Sequence, residues 1–251
     1  MTSGVTSSFR AFAFGDVEGK LWGGALDAGT PALGFGAAGG TGSASGPSAV
    51  DWSQEGRGWR LSGDGFELHV KPLGEELPAV SEPESSPGLT GFEELCRVQG
   101  VVWIGADQHP VDCVGTRCVV DGLDVRSLAS VRAVSGWFGD DQALALLAFR
   151  ARRSTGHEAD LVAATLFDPE GWVAVQDPRL STTYTESGLP ARANLELWIG
   201  EGEHEFPRRA AGEVVGAGAG VKADGLELLV APLHCHSRGL DGAGVYVLAT
   251  F

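Results

Sequence analysis

Apolar and polar residues alternate with a period of two along most of this chain, in short runs closed by Gly, Asp or Pro. Phe9-Arg10-Ala11-Phe12-Ala13-Phe14 opens the series, and Asp16-Val17-Glu18-Gly19 turns it into a partner over Lys20 to Leu26. Val50 to Trp52 and Gly58 to Leu61 follow as further short strands. Phe92 to Ile104 and Pro110 to Val120 form a pair about the Gly105-Ala106-Asp107 turn. Val131 to Phe138 and Ala143 to Arg152 make a hairpin around Gly139-Asp140-Asp141. By propensity alone the apolar run Ala143 to Phe149 also suits a helix, but its Asp-Asp turn and neighbouring strands favour β. Leu161 to Phe167 and Trp172 to Gln176 pair around Asp168-Pro169-Glu170-Gly171. Leu195 to Ile199 and Ala210 to Val215 flank a charged loop, Glu201 to Glu205. Gly244 to Phe251 is an apolar terminal strand expected to be tied into a sheet. Three stretches break the alternation. Gly34 to Gly46, all small residues apart from Phe35, reads as a mobile loop or as a flat strand pair with small side chains, the loop being favoured. Glu75 to Pro87, rich in Pro, Glu and Ser, reads as a surface excursion. Gly122 to Ser127 is expected to hold one short helical turn.

One stretch recurs. Asp64-Gly65-Phe66-Glu67-Leu68-His69-Val70-Lys71-Pro72-Leu73 matches Asp224-Gly225-Leu226-Glu227-Leu228-Leu229-Val230-Ala231-Pro232-Leu233 at seven of ten positions. Each copy is an Asp-Gly turn feeding an alternating strand that stops at Pro-Leu. The spacing of 160 residues is too long for a plain tandem repeat in a chain of 251. Similar units near 1–91 and 160–251, with a middle segment between them, fit better. The copies are then expected to be equivalent strands.

Composition narrows the class. Apolar residues make up 43% of the chain, so a sizeable core is attainable, and 38 Gly spread between short apolar runs suit many strands joined by tight turns. The formal charge of −15 opposes a phosphate backbone or an anionic lipid surface, so no nucleic-acid partner is expected. No apolar stretch reaches the roughly 18 residues of a membrane span. Residues Met1 to Phe9 lack the basic and apolar regions of a signal peptide, and a cytoplasmic location is expected. Cys96, Cys113, Cys118 and Cys235 form no CxxC pair and read as reduced, buried thiols.

Several polar groups can carry chemistry. On a strand, His234 and His236 face one way about 7 Å apart and Cys235 the other. Two such imidazoles can orient a ligand, or hold Zn²⁺ if a third donor arrives; no metal motif supports the second reading, and no cofactor is expected. His157 and Asp160, with Glu158 between them, follow the basic run Arg150, Arg152, Arg153; they can shuttle a proton, or form a charged hairpin mouth. Arg179 to Tyr184 is a polar run in which Arg179 and Thr183 can orient one end of a ligand and Tyr184 can donate a proton. Of the seven Trp, most belong to the core, and Trp103, Trp137 and Trp198 are candidates for lining an apolar cavity. No phosphate loop and no Gly-x-Ser-x-Gly elbow is present.

An ordered series of segments runs from Val98 to Phe251. It comprises Trp103-Ile104-Gly105, Gly115-Thr116-Arg117, Ser135-Gly136-Trp137-Phe138, His157-Glu158-Ala159-Asp160, Pro178 to Tyr184, Leu195-Glu196-Leu197-Trp198 and Pro207 to Glu213. This series resembles the AttH and hydroxyneurosporene synthase (carotenoid hydratase) group. The resemblance implies an all-β fold of two lipocalin-like antiparallel barrels, or strongly curved sheets, side by side, here as domains 1–118 and 119–251. It also implies an apolar polyene or terpenoid-like small molecule as ligand or substrate. That group commonly carries an Asp-His-x-Trp-Gly segment after the first barrel. Here Gly115-Thr116-Arg117-Cys118-Val119-Val120-Asp121 stands in its place, without His or Trp. The expectation is therefore a module that binds an apolar molecule in a β-barrel cavity. The alternative is a hydratase, isomerase or cyclase whose acid comes from His157, Asp160, Tyr184 or the His234/His236 pair. The oligomeric state is left open.

Overall fold

The computed structural model describes residues 6–28, 32–38, 41–44, 50–78, 90–154, 160–200, 206–216, 218–223 and 225–251. Among these, every regular element is a β-strand, and no helix is long and apolar enough to cross a membrane. The strands form two sheets of ten. The first holds β1 (Thr6–Asp16), β2 (Leu21–Asp27), β3 (Ala32–Ala38), β4 (Thr41–Ala44), β5 (Val50–Glu55), β6 (Gly58–Gly63), β7 (Phe66–Pro72), β8 (Leu77–Pro78), β9 (Thr90–Ile104) and β10 (Asp107–Asp124). The second holds β11 (Leu128–Trp137), β12 (Ala143–Ala151), β13 (Leu161–Asp168), β14 (Gly171–Ala174), β15 (Asp177–Tyr184), β16 (Pro190–Trp198), β17 (Arg208–Val214), β18 (Ala219–Ala223), β19 (Leu226–Ser237) and β20 (Leu240–Thr250). The all-β expectation of two curled antiparallel sheets side by side holds. The chain crosses from one sheet to the other between Asp124 and Leu128, and residue 118 lies within β10.

Strand order is β4-β3-β2-β1-β10-β9-β7-β6-β5 in the first sheet and β14-β13-β12-β11-β20-β19-β17-β16-β15 in the second. Adding ten to each strand number turns one order into the other, and β8 and β18 match as side pairings on β9 and β19. The fold is therefore a tandem duplication, β1–β10 then β11–β20. The recurring Asp-Gly stretch does not mark it. Phe66 to Pro72 is β7, whose counterpart is β17, whereas the second copy opens β19, the counterpart of β9. The expected units 1–91 and 160–251 are corrected accordingly. The likeness is local: Gly65 and Gly225 both take positive φ, 96° and 83°, at the entry to a half-buried strand. Any hairpin with those needs selects similar residues.

Two further expectations are overturned. Gly34 to Gly46 is not a loop: β3 and β4 run through its described residues. Its one large residue, Phe35, packs on β2. A Cβ on Gly24 would lie 2.3 Å from the carbonyl oxygen of Phe12 and 2.6 Å from the ring tip of Phe35, so the aromatic ring rests directly on the neighbouring backbone. Gly122 to Ser127 holds no helical turn. β10 extends to Asp124, and the chain then turns with Ser127 N donating to Asp124 O at 3.1 Å and Arg126 N to Asp124 Oδ1 at 3.2 Å. The second half of the Glu75–Pro87 excursion and the Glu201–Glu205 loop lie outside the described residues.

Each sheet encloses its own core, Phe12, Phe14, Leu61, Leu68 and Val98 in the first, Val134, Leu146, Leu195, Leu233 and Tyr246 in the second. A third core lies between the sheets, where Ala13, Trp22, Val114, Trp137, Val245 and Val247 meet. Strands at this seam are covered on both faces, which explains the unbroken burial of Ala143 to Phe149 and its loss of alternation. Two indoles tie the seam. Trp22 Nε1 of the first sheet donates to Leu233 O of the second at 3.0 Å, and Trp137 Nε1 of the second to Gly15 O of the first at 3.5 Å. Trp22→Phe is expected to lower stability by about 1–3 kcal/mol, by loss of a buried bond and indole packing, measured by urea unfolding. Trp137→Phe, with the longer bond, should cost less.

Candidate ligand and acid site

The seam also leaves space. A cavity of about 350 Å³ opens between the sheets, walled by Phe9, Leu123, Leu147, Phe149, Leu228 and Phe251. Arg126 and Arg152 are exposed residues on its border, with Arg152 Nε donating to Arg126 O at 3.2 Å. The volume falls in the range of small-molecule sites, and an apolar body with charged groups at one edge suits an amphipathic guest. A second void of about 20 Å³ shares Phe9, Ala133, Leu147 and Val247 with it. That is room for one water molecule.

Glu93 lines the smaller void. It lies on β9 opposite Cys118, fully buried, and its neighbour Glu94 points the other way, into the first sheet. Glu94 meets Arg117, whose Nη2 donates to Glu94 Oε2 at 3.0 Å while the guanidinium lies 4.5 Å and 4.6 Å from the Trp59 and Phe92 rings. Glu93 has no such cation. Burial pushes its pKa from 4.5 up to about 7, against the opposing hydrogen bonds of Ser135, from the second sheet, and Thr116. Its Oε1 has no hydrogen-bond partner. A carboxyl group so placed holds its proton near neutrality and can donate it. The signal in the sequence was a pair of adjacent carboxylates inside the apolar strand Phe92 to Ile104, which alternation puts on both faces.

The residues singled out from the sequence fall in separate places. His157 lies outside the described residues, as does Glu158. Asp160 is buried between two guanidiniums, accepting from Arg132 Nη2 at 2.7 Å and Arg150 Nε at 2.9 Å. Tyr184 is half exposed, its hydroxyl 3.4 Å from that of Tyr246, whose own pKa burial pushes up. Thr183 is exposed on β15. Arg179 is held by Asp177 at 2.6 Å and lies 6.0 Å from the Trp198 ring; the buried Trp198 Nε1 has no partner. Trp137 is in the seam core. Trp103 borders a third space, about 270 Å³, with Phe12, Phe14, Phe35 and Phe66 at one end of the first sheet. His234 and His236 come together, ring centroids 4.5 Å apart, beside Asp241. None of these described residues lines the large cavity. The four thiols are free and buried, and burial pushes Cys113 and Cys235 up to about 12, so they are poor nucleophiles at neutral pH.

No family model and no curated protein matches the chain. Solved structures do. A candidate AttH from Nitrosomonas europaea superposes with a TM-score of 0.62 at 11% identity, covering 98% of this chain and 92% of that one. CghA, in a structure with Sch210972, gives 0.61 at 11% identity over 98% and 89%. Kievitone hydratase from Nectria haematococca gives 0.56 at 10% identity over 98% and 90%. The chain thus has the paired β-sheet fold of AttH-like proteins, as the resemblance in its sequence implied.

Between pH 4.5 and about 7 the folded chain holds a proton on Glu93 that the unfolded chain has lost, so this group makes stability fall as pH rises through that window. Glu93→Gln is expected to flatten the dependence and to raise stability above about pH 7 by up to about 3 kcal/mol, read from urea unfolding on both sides of the window.

Proposed function

We propose that this protein binds an apolar small molecule between its two sheets, with any acidic group of the ligand directed to Arg126 and Arg152. The observation that carries this reading is the 350 Å³ apolar cavity at the seam. The likeness to CghA with its ligand and to a hydratase supports it at the level of fold. Retinol and retinoic acid serve as probes, since they share a polyene and differ in charge. Both are expected to quench the tryptophan fluorescence, retinoic acid with the tighter binding. Ala133→Leu, which narrows the cavity, should weaken both. Arg126→Ala with Arg152→Ala should remove the preference, worth roughly 1 kcal/mol or a factor of about five. Quenching by neither probe, or equal binding to Ala133→Leu, would reject the site.

Glu93 favours a second reading, acid-catalysed hydration of a carbon–carbon double bond. The Glu93 O–H proton passes, relayed by the one water the small void has room for, to one alkene carbon of a substrate in the adjoining cavity. Water forms a bond to the other, and its spare proton returns to the carboxylate, so the group is regenerated. Polyene and terpenoid substrates can be screened for product heavier by one water. Glu93→Gln is expected to abolish that product while leaving probe binding within about twofold, because the substitution preserves shape and removes the proton. Undiminished turnover in this variant would discard the acid role.

A further inference from the structure

The β19–β20 hairpin brings three metal-ligating side chains to one point, independently of the cavity. His234 and His236 project from the same face of β19, and Asp241 sits directly across from His236 on β20. Asp241 Oδ1 is 3.4 Å from His234 Nε2 and 2.5 Å from His236 Nδ1, and the three donor atoms all lie within 4.8 Å of one another. Ligand atoms around a tetrahedral zinc stand roughly 3.3 Å apart, so small side-chain rotations suffice to surround an ion. His234 Nε2 is buried and has no hydrogen-bond partner; its approach to Asp241 lacks the alignment of a hydrogen bond. A buried ring nitrogen left unpaired is costly, and a metal ion would satisfy it. A second carboxylate, Glu213 on β17, pairs across from His234 and adds negative potential, although Arg192 Nη1 holds it at 3.6 Å.

We propose that His234, His236 and Asp241 bind one divalent transition-metal ion, with zinc as the reference. Two imidazoles and one carboxylate match borderline ions such as Zn²⁺, Co²⁺ and Ni²⁺ better than Ca²⁺ or Mg²⁺, which prefer oxygen. The three protein donors leave one tetrahedral position to water. Six residues of β19 separate His234 from Leu228 at the large cavity, roughly 20 Å along an extended strand, so the ion would stand apart from a ligand held against Leu228. Its place is the end of the β19–β20 hairpin, near Leu233, whose carbonyl receives the Trp22 indole, and it would brace that hairpin.

The test is titration of chelator-treated full-length protein with zinc by calorimetry, and with cobalt by visible absorption. One ion per chain and the bands of tetrahedral cobalt are expected. His236→Ala and Asp241→Asn alter exposed side chains outside the cores, and each should weaken zinc binding by at least roughly tenfold. His69→Ala, an exposed imidazole paired with Glu55 on the first sheet, should bind as the parent does. Absence of binding overturns the site. So does unchanged affinity in His236→Ala and Asp241→Asn, which would assign the ion to other surface groups.

Discussion

The structure depends on burying the outer faces of two sheets against each other. A single curled sheet of this kind can cover only its inner face with its own side chains. β1 and β10 of one sheet and β11 and β20 of the other carry apolar residues on both faces, and neither face can be left in water. The seam therefore makes each half of the duplication a condition for the other. Trp22 and Trp137 add direction to a contact that apolar burial alone would leave free to slide. Each indole reaches a backbone carbonyl of the opposite sheet, and the two bonds run in opposite senses across the seam.

The same constraint creates the chemistry. The interior of each sheet is lined by its own side chains, and some charged groups enter it as matched sets. Arg117 meets Glu94 in the first sheet, and Asp160 meets Arg132 and Arg150 in the second. In such pairs each buried charge has its partner. At the seam, packing is set by two curved surfaces that cannot match everywhere, and the mismatch is the cavity. Glu93 borders the small void beside it, and burial without a facing cation raises its proton affinity despite the opposing hydroxyl donors. Ser135 comes from the second sheet, so this environment exists only when both halves are docked.

Much of the fold was legible in the residues. Phe9 to Phe14, the Gly139-Asp140-Asp141 hairpin and the Asp168 to Gly171 turn all stand where alternation and turn chemistry put them. The misreadings share a cause. Gly34 to Gly46 was assigned by composition, but its strand pairs with β2, and its Phe35 ring lies on the β2 backbone at Gly24. The Asp-Gly repeat was taken for a trace of duplication, although it records only what any hairpin entry requires. The true duplication left no comparable trace, because topology constrains which positions are apolar far more than which residue fills them.

Local order along the chain determined the strands, their turns and the all-β class, since side-chain period and turn geometry act between near neighbours. It also placed His234 and His236 on one face. Only the tertiary structure decided that Asp241 joins them, that Asp160 is bound between two arginines, and that Glu93 is buried at the seam without a facing cation. Those outcomes depend on which distant strands come into contact and how completely they exclude water, and neither quantity is encoded in any one segment of the sequence.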